Sequence, residues 1–294
     1  MTVDVVCAGA PFLDLTISGL PRLPVLGEEL VGERLDVTAG GMANIALGLR
    51  RLGLRTALCS PVGSDLAGTW VRRLLEEDGI GWTGPEAAEK PVSVVVPVDG
   101  ERAFLTVDPE LGVDGELIAR LEPRAVVVDL AAAGAVLPGP AVYGVIGDVD
   151  AHRLAGRIPA AADRLTALLV NRREALALTG ARDAHEAALS LAERVPVAVV
   201  TCGADGAVGV CDGALHVVPT VQVEVVDTTG AGDLFTAAYV WADLEGTPFE
   251  ERLRLATAYA TLSVRAQTAR AGATDRNELT EFLERTNPQA GRRP

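Results

Sequence analysis

The sequence predicts an α/β fold in which a mostly parallel sheet is covered by helices on both faces. Residues 125–130, 141–146, 167–170 and 197–201 are short, continuous apolar runs rich in β-branched residues, the pattern of strands buried on both faces. Helical periodicity lies at 173–179 and 185–194, so strand and helix alternate as in βαβ units. Later in the chain a glycine-rich turn, Asp227-Thr-Thr-Gly-Ala-Gly-Asp233, opens an apolar helix. With 294 residues, 49% of them hydrophobic and 22% charged, the chain can bury a substantial core, and a single domain over 1–294 is expected.

The elements follow in order. Residues 3–8 read as a buried strand leading into Gly9-Ala-Pro-Phe-Leu-Asp14, and alternating runs follow at 15–18 and 29–38. A helix over 41–52 places Ile45, Leu49 and Leu52 on one face, points Arg50 and Arg51 away and ends at Gly53. Residues 55–60 form a strand, and 65–78 a helix with Trp70, Leu74 and Leu75 inward and Gly79 as its stop. Two extended runs, 92–98 and 102–107, are joined by Asp99-Gly100, a strong hairpin signal. No helix separates these early runs, so they cannot all join a parallel sheet by crossovers. They are expected to form a small separate sheet from about 15–38 and 92–107, placed as a lid. Residues 221–226 alternate and read as a strand before the glycine-rich turn, whose helix carries Leu234, Ala237, Ala238, Val240 and Trp241 on helical spacing. Further helices are expected at 249–266 and 277–284, ahead of a frayed Gly/Pro/Arg-rich tail at 288–294.

Composition narrows the function. A net charge of -14 argues against nucleic acid or an acidic membrane surface as partner. The N-terminus has no basic region before its apolar run, so no secretory signal is visible and a cytoplasmic location is expected. Residues 125–147 are apolar but contain Asp129, Pro138 and Pro140, and read as strands and a turn, not a membrane span. Cys7, Cys59, Cys202 and Cys211 show no C-x-x-C pairing and suit buried thiols in a reducing compartment. His152, His185 and His216 are not spaced for zinc. The only lysine is Lys90, which excludes a Walker A loop and makes lysine Schiff-base chemistry a poor fit. If the chain handles a phosphate ligand such as ATP, its charge must be met by a metal, by backbone N–H groups and by arginine.

The glycine-rich turn supplies such N–H groups. A helix start presents unpaired donors and the positive end of the helix dipole. Gly230 and Gly232 let backbone approach an anion without side-chain collision, and Asp233 stands beside it to take a proton from a nucleophile. The same residues taken singly read as an ordinary helix cap. The seven-residue string favours phosphoryl transfer to an alcohol.

These motifs resemble the ribokinase-like (PfkB) carbohydrate kinase family. Asp227–Asp233 is similar to one family signature, and Gly40-Gly-Met-Ala-Asn44, continuing to Gly53, to another. Gly63-Ser-Asp65-Leu-Ala-Gly68, Asn171-Arg-Arg-Glu174, Val200-Thr-Cys-Gly203-Ala-Asp-Gly206 and Ala271-Gly-Ala-Thr274 fall in the family's order. The resemblance implies a three-layer sandwich with a small β-sheet lid, and an ATP-dependent kinase that phosphorylates a hydroxymethyl group of a sugar or small polyol. It implies Asp233 as general base and Gly230, Ala231 and Gly232 as anion hole. It implies Asp14, Gly40, Gly41 and Asn44 at the acceptor, and Asn171, Thr201, Gly203, Gly206 and Gly232 at the nucleotide. It further implies Glu174 near Mg²⁺, and Asp227 with the Thr229 carbonyl at a monovalent cation such as K⁺. For Asn171 and Glu174 a helix cap with a surface charge is an equal reading; Arg102, on a lid-type strand, could reach an anionic substrate but reads first as a solvated lid arginine.

This sequence departs from the family in places. Phe12 stands where many sugar kinases of the family carry Asn, and Arg276 where a small polar residue often completes the cation site. Phe12 suits stacking on a ring, so a nucleoside acceptor stays open beside a sugar, as does a non-catalytic sugar or nucleotide binder. A dinucleotide-binding oxidoreductase fits only part of Gly230-Ala-Gly232, because Phe235 occupies the third glycine position. A homodimer through the lid strands is also expected, since exposed sheet edges invite a partner.

Overall fold

The computed structural model describes residues 3–87, 91–98, 101–108 and 112–286. Lys90, the Asp99-Gly100 turn and the 288–294 tail lie outside the described residues. A nine-stranded sheet runs in the order Ala214–Val218, Ala207–Cys211, Val197–Thr201, Ala167–Asn171, Ala141–Val145, Ala125–Asp129, Val5–Ala8, Thr56–Cys59, Gly81–Thr83. Every pairing from Val197–Thr201 to Gly81–Thr83 is parallel, and the first two strands close that edge as an antiparallel hairpin.

The apolar runs are continuous because each strand feeds two cores. Val5, Cys7, Val127 and Leu169 face one layer, with Ile45, Leu49 and Leu74 and with the helices Ala231–Leu244 and Phe249–Ser263. Val6, Ala8, Val126, Val128 and Val170 face the other, with Leu178, Ala187 and Leu191. Successive side chains of a strand point to opposite faces, so both must be apolar when both are covered. The result is a ribokinase-like three-layer arrangement.

A second, four-stranded sheet has the order Arg34–Gly41, Pro11–Ser18, Val92–Val98, Glu101–Val107. Its first two strands extend to Pro11 and Gly41, beyond the 15–38 limits expected, while 19–33 contains no strand. Pro21 and Pro24 cannot donate to a ladder, and Gly19 turns the chain at φ 81. The extension matters, because it places Asp14 in a strand and Gly40 and Gly41 opposite Phe12 and Pro11.

Two other expectations fail. Residues 221–226 are not a strand; the backbone N–H groups of Val226 and Asp227 donate instead to Val264 O at a helix end. Trp70 is 41% exposed. The buried stripe of helix Leu66–Glu77 is Gly68, Val71, Leu74 and Leu75, with Trp70 at its margin under the Arg73 guanidinium. Short helices at Gly115–Ala119, Asp148–Leu154 and Thr268–Gly272 carry too few turns to show periodicity. Among the described residues no helix is long and apolar enough to cross a membrane.

Candidate active site

The carboxyl ends of the strands Ala141–Val145, Ala167–Asn171 and Val197–Thr201 open into a cavity of about 340 Å³. The crevice outside the carboxyl ends of parallel strands is the general ligand position in such sheets. The small sheet contributes Phe12, Asp14, Ser93, Arg102, Phe104 and Thr106 to its wall, and two helix starts contribute Asn44 and Asp233.

Helix Ala231–Leu244 begins after Gly230, which adopts φ 73 and ψ 5, and no side chain caps it. Ala231 N donates to Thr228 O at 3.3 Å, which leaves the next first-turn N–H groups, those of Gly232 and Asp233, for an anion. A Cβ at Gly230 would lie 2.5 Å from Ala269 Cβ and 3.1 Å from Asn44 Nδ2, whereas one at Gly232 would meet nothing. Gly230 thus serves close packing, and Gly232 leaves the mouth of the helix open. Asp227 fixes the loop from behind: its Oδ1 accepts from Thr229 N at 2.8 Å and its Oδ2 from Thr268 N at 2.9 Å. Thr268 is held at φ 67, an uncommon state for a β-branched residue.

Asp233 accepts a 2.9 Å hydrogen bond from Asn44 Nδ2, joining segments 189 residues apart. Burial raises its pKa to about 6, opposed by the Asn44 hydrogen bond and by the charge of Arg102. Asp14 is 7% exposed, and burial followed by the repulsion of Asp233 pushes it up to about 7. Gly40 makes room for that carboxylate, since a Cβ there would sit 1.9 Å from Asp14 Oδ2. Gly41 adopts φ 59 against the Phe12 ring.

Asn171 and Glu174 form a reciprocal capping box at the start of helix Arg172–Thr179. The cap reading is therefore correct, but the surface-charge reading is not: Glu174 is buried, lines the cavity and is raised to about 7 by burial. Among the described residues no group of three or more acidic, His or Cys side chains could hold a metal. Magnesium commonly uses one or two carboxylates plus substrate phosphates and water, and buried Glu174 fits that mode.

The cavity thus gathers Asp14, Gly41, Asn44, Asn171, Glu174, Thr201, Thr229, Gly230, Gly232 and Asp233. Gly40, Ala231, Gly203, Gly206 and Asp227 do not line it. Gly203 and Gly206 turn the chain between two antiparallel strands, and a Cβ at Gly206 would lie 2.0 Å from Val218 O. On that side Val218, Pro219, Val221, Ala258, Thr261 and Leu283 help line a larger groove of about 520 Å³ away from the acidic centre. Arg102 is no solvated arginine: its Nη1 donates to Thr228 Oγ1 in the anion loop. Nothing in the sequence separation of 126 residues signals that contact. Arg276 turns away from the loop, donating to Leu52 O and lying 5.0 Å from the Trp241 ring centroid.

The profile described as pfkB family carbohydrate kinase matches residues 22–114 and 142–276. The ribokinase of Haemophilus influenzae is 28% identical over 294 residues, covering 91% of this chain and 94% of its own. An acarbose 7(IV)-phosphotransferase from an Actinoplanes species is 29% identical, covering 94% and 97%. The structure of Arabidopsis thaliana ribokinase complexed with ribose and ATP superposes with a TM-score of 0.78 at 26% identity, covering 97% of this chain and 99% of that one. With a profile match over most of its length, the chain belongs to the pfkB family of carbohydrate kinases.

Proposed function

We propose that this protein transfers the γ-phosphoryl group of ATP to a hydroxymethyl group of a sugar or related small polyol. The observation that carries the proposal is the Asn44–Asp233 pair beside an uncapped, glycine-opened helix start, in one cavity with buried Asp14. Asp233 accepts the proton of the acceptor hydroxyl as its oxygen bonds to the γ-phosphorus. The bond from that phosphorus to the bridging oxygen breaks, and ADP leaves with the electron pair. The N–H groups at Gly230, Ala231 and Gly232 hold the charged phosphoryl oxygens, with positioning and electrostatics supplying the rate. Asp14 accepts from acceptor hydroxyls, aided by the open backbone at Gly40 and Gly41. Asn171 and Thr201 flank the nucleotide phosphates, Gly203 and Gly206 shape the turn beside them, and the larger groove near Val218 receives the base.

Glu174, with its cap partner Asn171, would hold a magnesium ion through water, and that ion would supply charge neutralisation at the nucleotide phosphates. A monovalent cation would lie at Asp227 and the Thr229 carbonyl, which the buried, unpartnered Thr229 hydroxyl supports. The small sheet acts as a lid on a single domain. Its exposed Leu35, Leu105 and Val107 favour a homodimer through it, which sedimentation would test. Buried free Cys7, Cys59 and Cys202 favour a reducing, cytoplasmic setting.

A nucleoside acceptor is the second reading, favoured by Phe12 in the cavity wall. The test is ADP release from Mg-ATP against sugars, sugar acids, sugar phosphates and nucleosides, with Asp233→Asn as control. Release that depends on an acceptor and is lost in the variant is expected. ATP and sugar binding without transfer across the panel would make the protein a binder instead.

A further inference from the structure

The cavity has an electrostatic problem. Among the described residues its wall carries three carboxylates, Asp14, Glu174 and Asp233, and a single cation, Arg102. A polyphosphate entering this space meets like charge, from Asp233 first and from Asp14 and Glu174 as they ionise. The helix start offers only about half an elementary charge of positive potential. Lysine is no remedy, because the chain has only one.

Arg102 is built to answer this. It lies on strand Glu101–Val107 at the edge of the small sheet, far in sequence from the anion loop, yet donates to the Thr228 hydroxyl within that loop. Its charge reaches Asp233, where it favours the ionised carboxylate. The guanidinium also lies over the Phe104 ring at 5.7 Å, and that ring shares the cavity wall. Its hydrogen-bond partner in the loop is a neutral hydroxyl, so the rest of the planar donor fork stays available. That fork matches two oxygens of a phosphoryl group better than an ammonium does.

On the kinase reading above, we infer that Arg102 is a further catalytic residue, a cation carried in by the small sheet that grips the phosphoryl group in flight. The acceptor oxygen still loses its proton to Asp233, and ADP still leaves with the bridging electron pair. Arg102 exchanges no proton and no bond; docked on the loop through Thr228, it balances charge on the equatorial oxygens alongside the helix N–H groups. The Thr228 hydroxyl holds the guanidinium over the loop, so chemistry proceeds only when the sheet covers the cavity.

The test compares wild type with Arg102→Gln, Arg102→Lys and Arg102→Ala, measuring kcat and both KM values, with thermal melts to check folding. Arg102→Gln should lower kcat by about 10²–10³-fold, the usual effect of losing a transition-state donor, with acceptor KM little changed. Arg102→Lys should recover part of the loss, and added guanidinium ion should raise kcat of Arg102→Ala without changing its melt. A variant that keeps wild-type kcat overturns the inference. So does a rise in acceptor KM alone, which would make Arg102 an acceptor-binding group. Absence of transfer in the wild-type protein would instead overturn the kinase reading, and this inference with it. Thr228→Val is the second probe: it leaves the guanidinium and removes its dock. A lowered kcat with unchanged KM values is expected there, and wild-type kcat would count against the docking role.

Discussion

Gly40→Ala isolates the placement of one carboxylate. The added Cβ would lie 1.9 Å from Asp14 Oδ2, 2.5 Å from Cγ and 2.7 Å from Oδ1, all inside the 3.0 Å that real Cβ atoms essentially never cross. Gly40 is not among the glycines with positive φ, so alanine meets no backbone penalty and the whole effect is steric. The strain has two outlets. Strands Pro11–Ser18 and Arg34–Gly41 could part, at the expense of a ladder paired from Pro11–Gly41 to Ser18–Arg34. Alternatively Asp14 could leave its rotamer, which costs only about 0.5–1.5 kcal/mol. Asp14 should therefore move, and a misplacement of about 1 Å in a positioning group lowers kcat/KM about 10²-fold. That loss should appear for the acceptor in steady-state assays, with ATP KM unchanged. Crowding should also lower stability by about 1–3 kcal/mol. Gly134→Ala is the control, since its Cβ would meet only Ala161 at 3.8 Å. Unchanged acceptor kinetics in a folded Gly40→Ala protein would refute the argument, as would parallel loss of ATP binding.

Other consequences follow from the same site. Asp233 must be ionised to accept a proton, and its pKa lies near 6. Turnover should therefore fall below about pH 6, and Asp233→Asn should remove about 10²–10⁴-fold at about pH 8, with the gap narrowing in acid; a flat acid limb would contradict the base role. Asp14 and Glu174 are raised from 3.8 and 4.5 to about 7. The folded state thus binds extra protons between about pH 4 and 7, so their stabilisation is complete below that window and lost as pH rises through 7. Urea unfolding of the ligand-free protein should show lower stability at about pH 8 than at about pH 5.5, by on the order of 2 kcal/mol for each of the two carboxyls, with a smaller slope in Asp14→Asn. Asp4, held near 2 by its Arg55 hydrogen bonds, acts oppositely and only as pH falls below about 4. Gly206→Ala, at φ 92 and 2.0 Å from Val218 O, should destabilise by about 1–3 kcal/mol and raise ATP KM, leaving acceptor KM unchanged.

Local pattern determined much of this protein. Two-sided apolar strands such as Val5–Ala8 and Ala125–Asp129 announce a covered parallel sheet because both faces must be apolar. The string Asp227–Asp233 announces an anion-binding helix start because glycine freedom and unpaired N–H groups are properties of adjacent residues. The alternation of 221–226 misled for the same reason: it describes side chains, whereas a strand needs backbone partners, and the N–H groups of Val226 and Asp227 pair with Val264 O at a helix end. Only the tertiary structure decided that Asn44 meets Asp233, that Gly40 shelters Asp14, that the Asn171 cap also buries Glu174 in the cavity, and that Arg102 docks on Thr228. Each joins chain segments through space, or sets a burial that neighbours in sequence do not control. Charge placement and pKa depend on those distances and on excluded water, so no local pattern carries them.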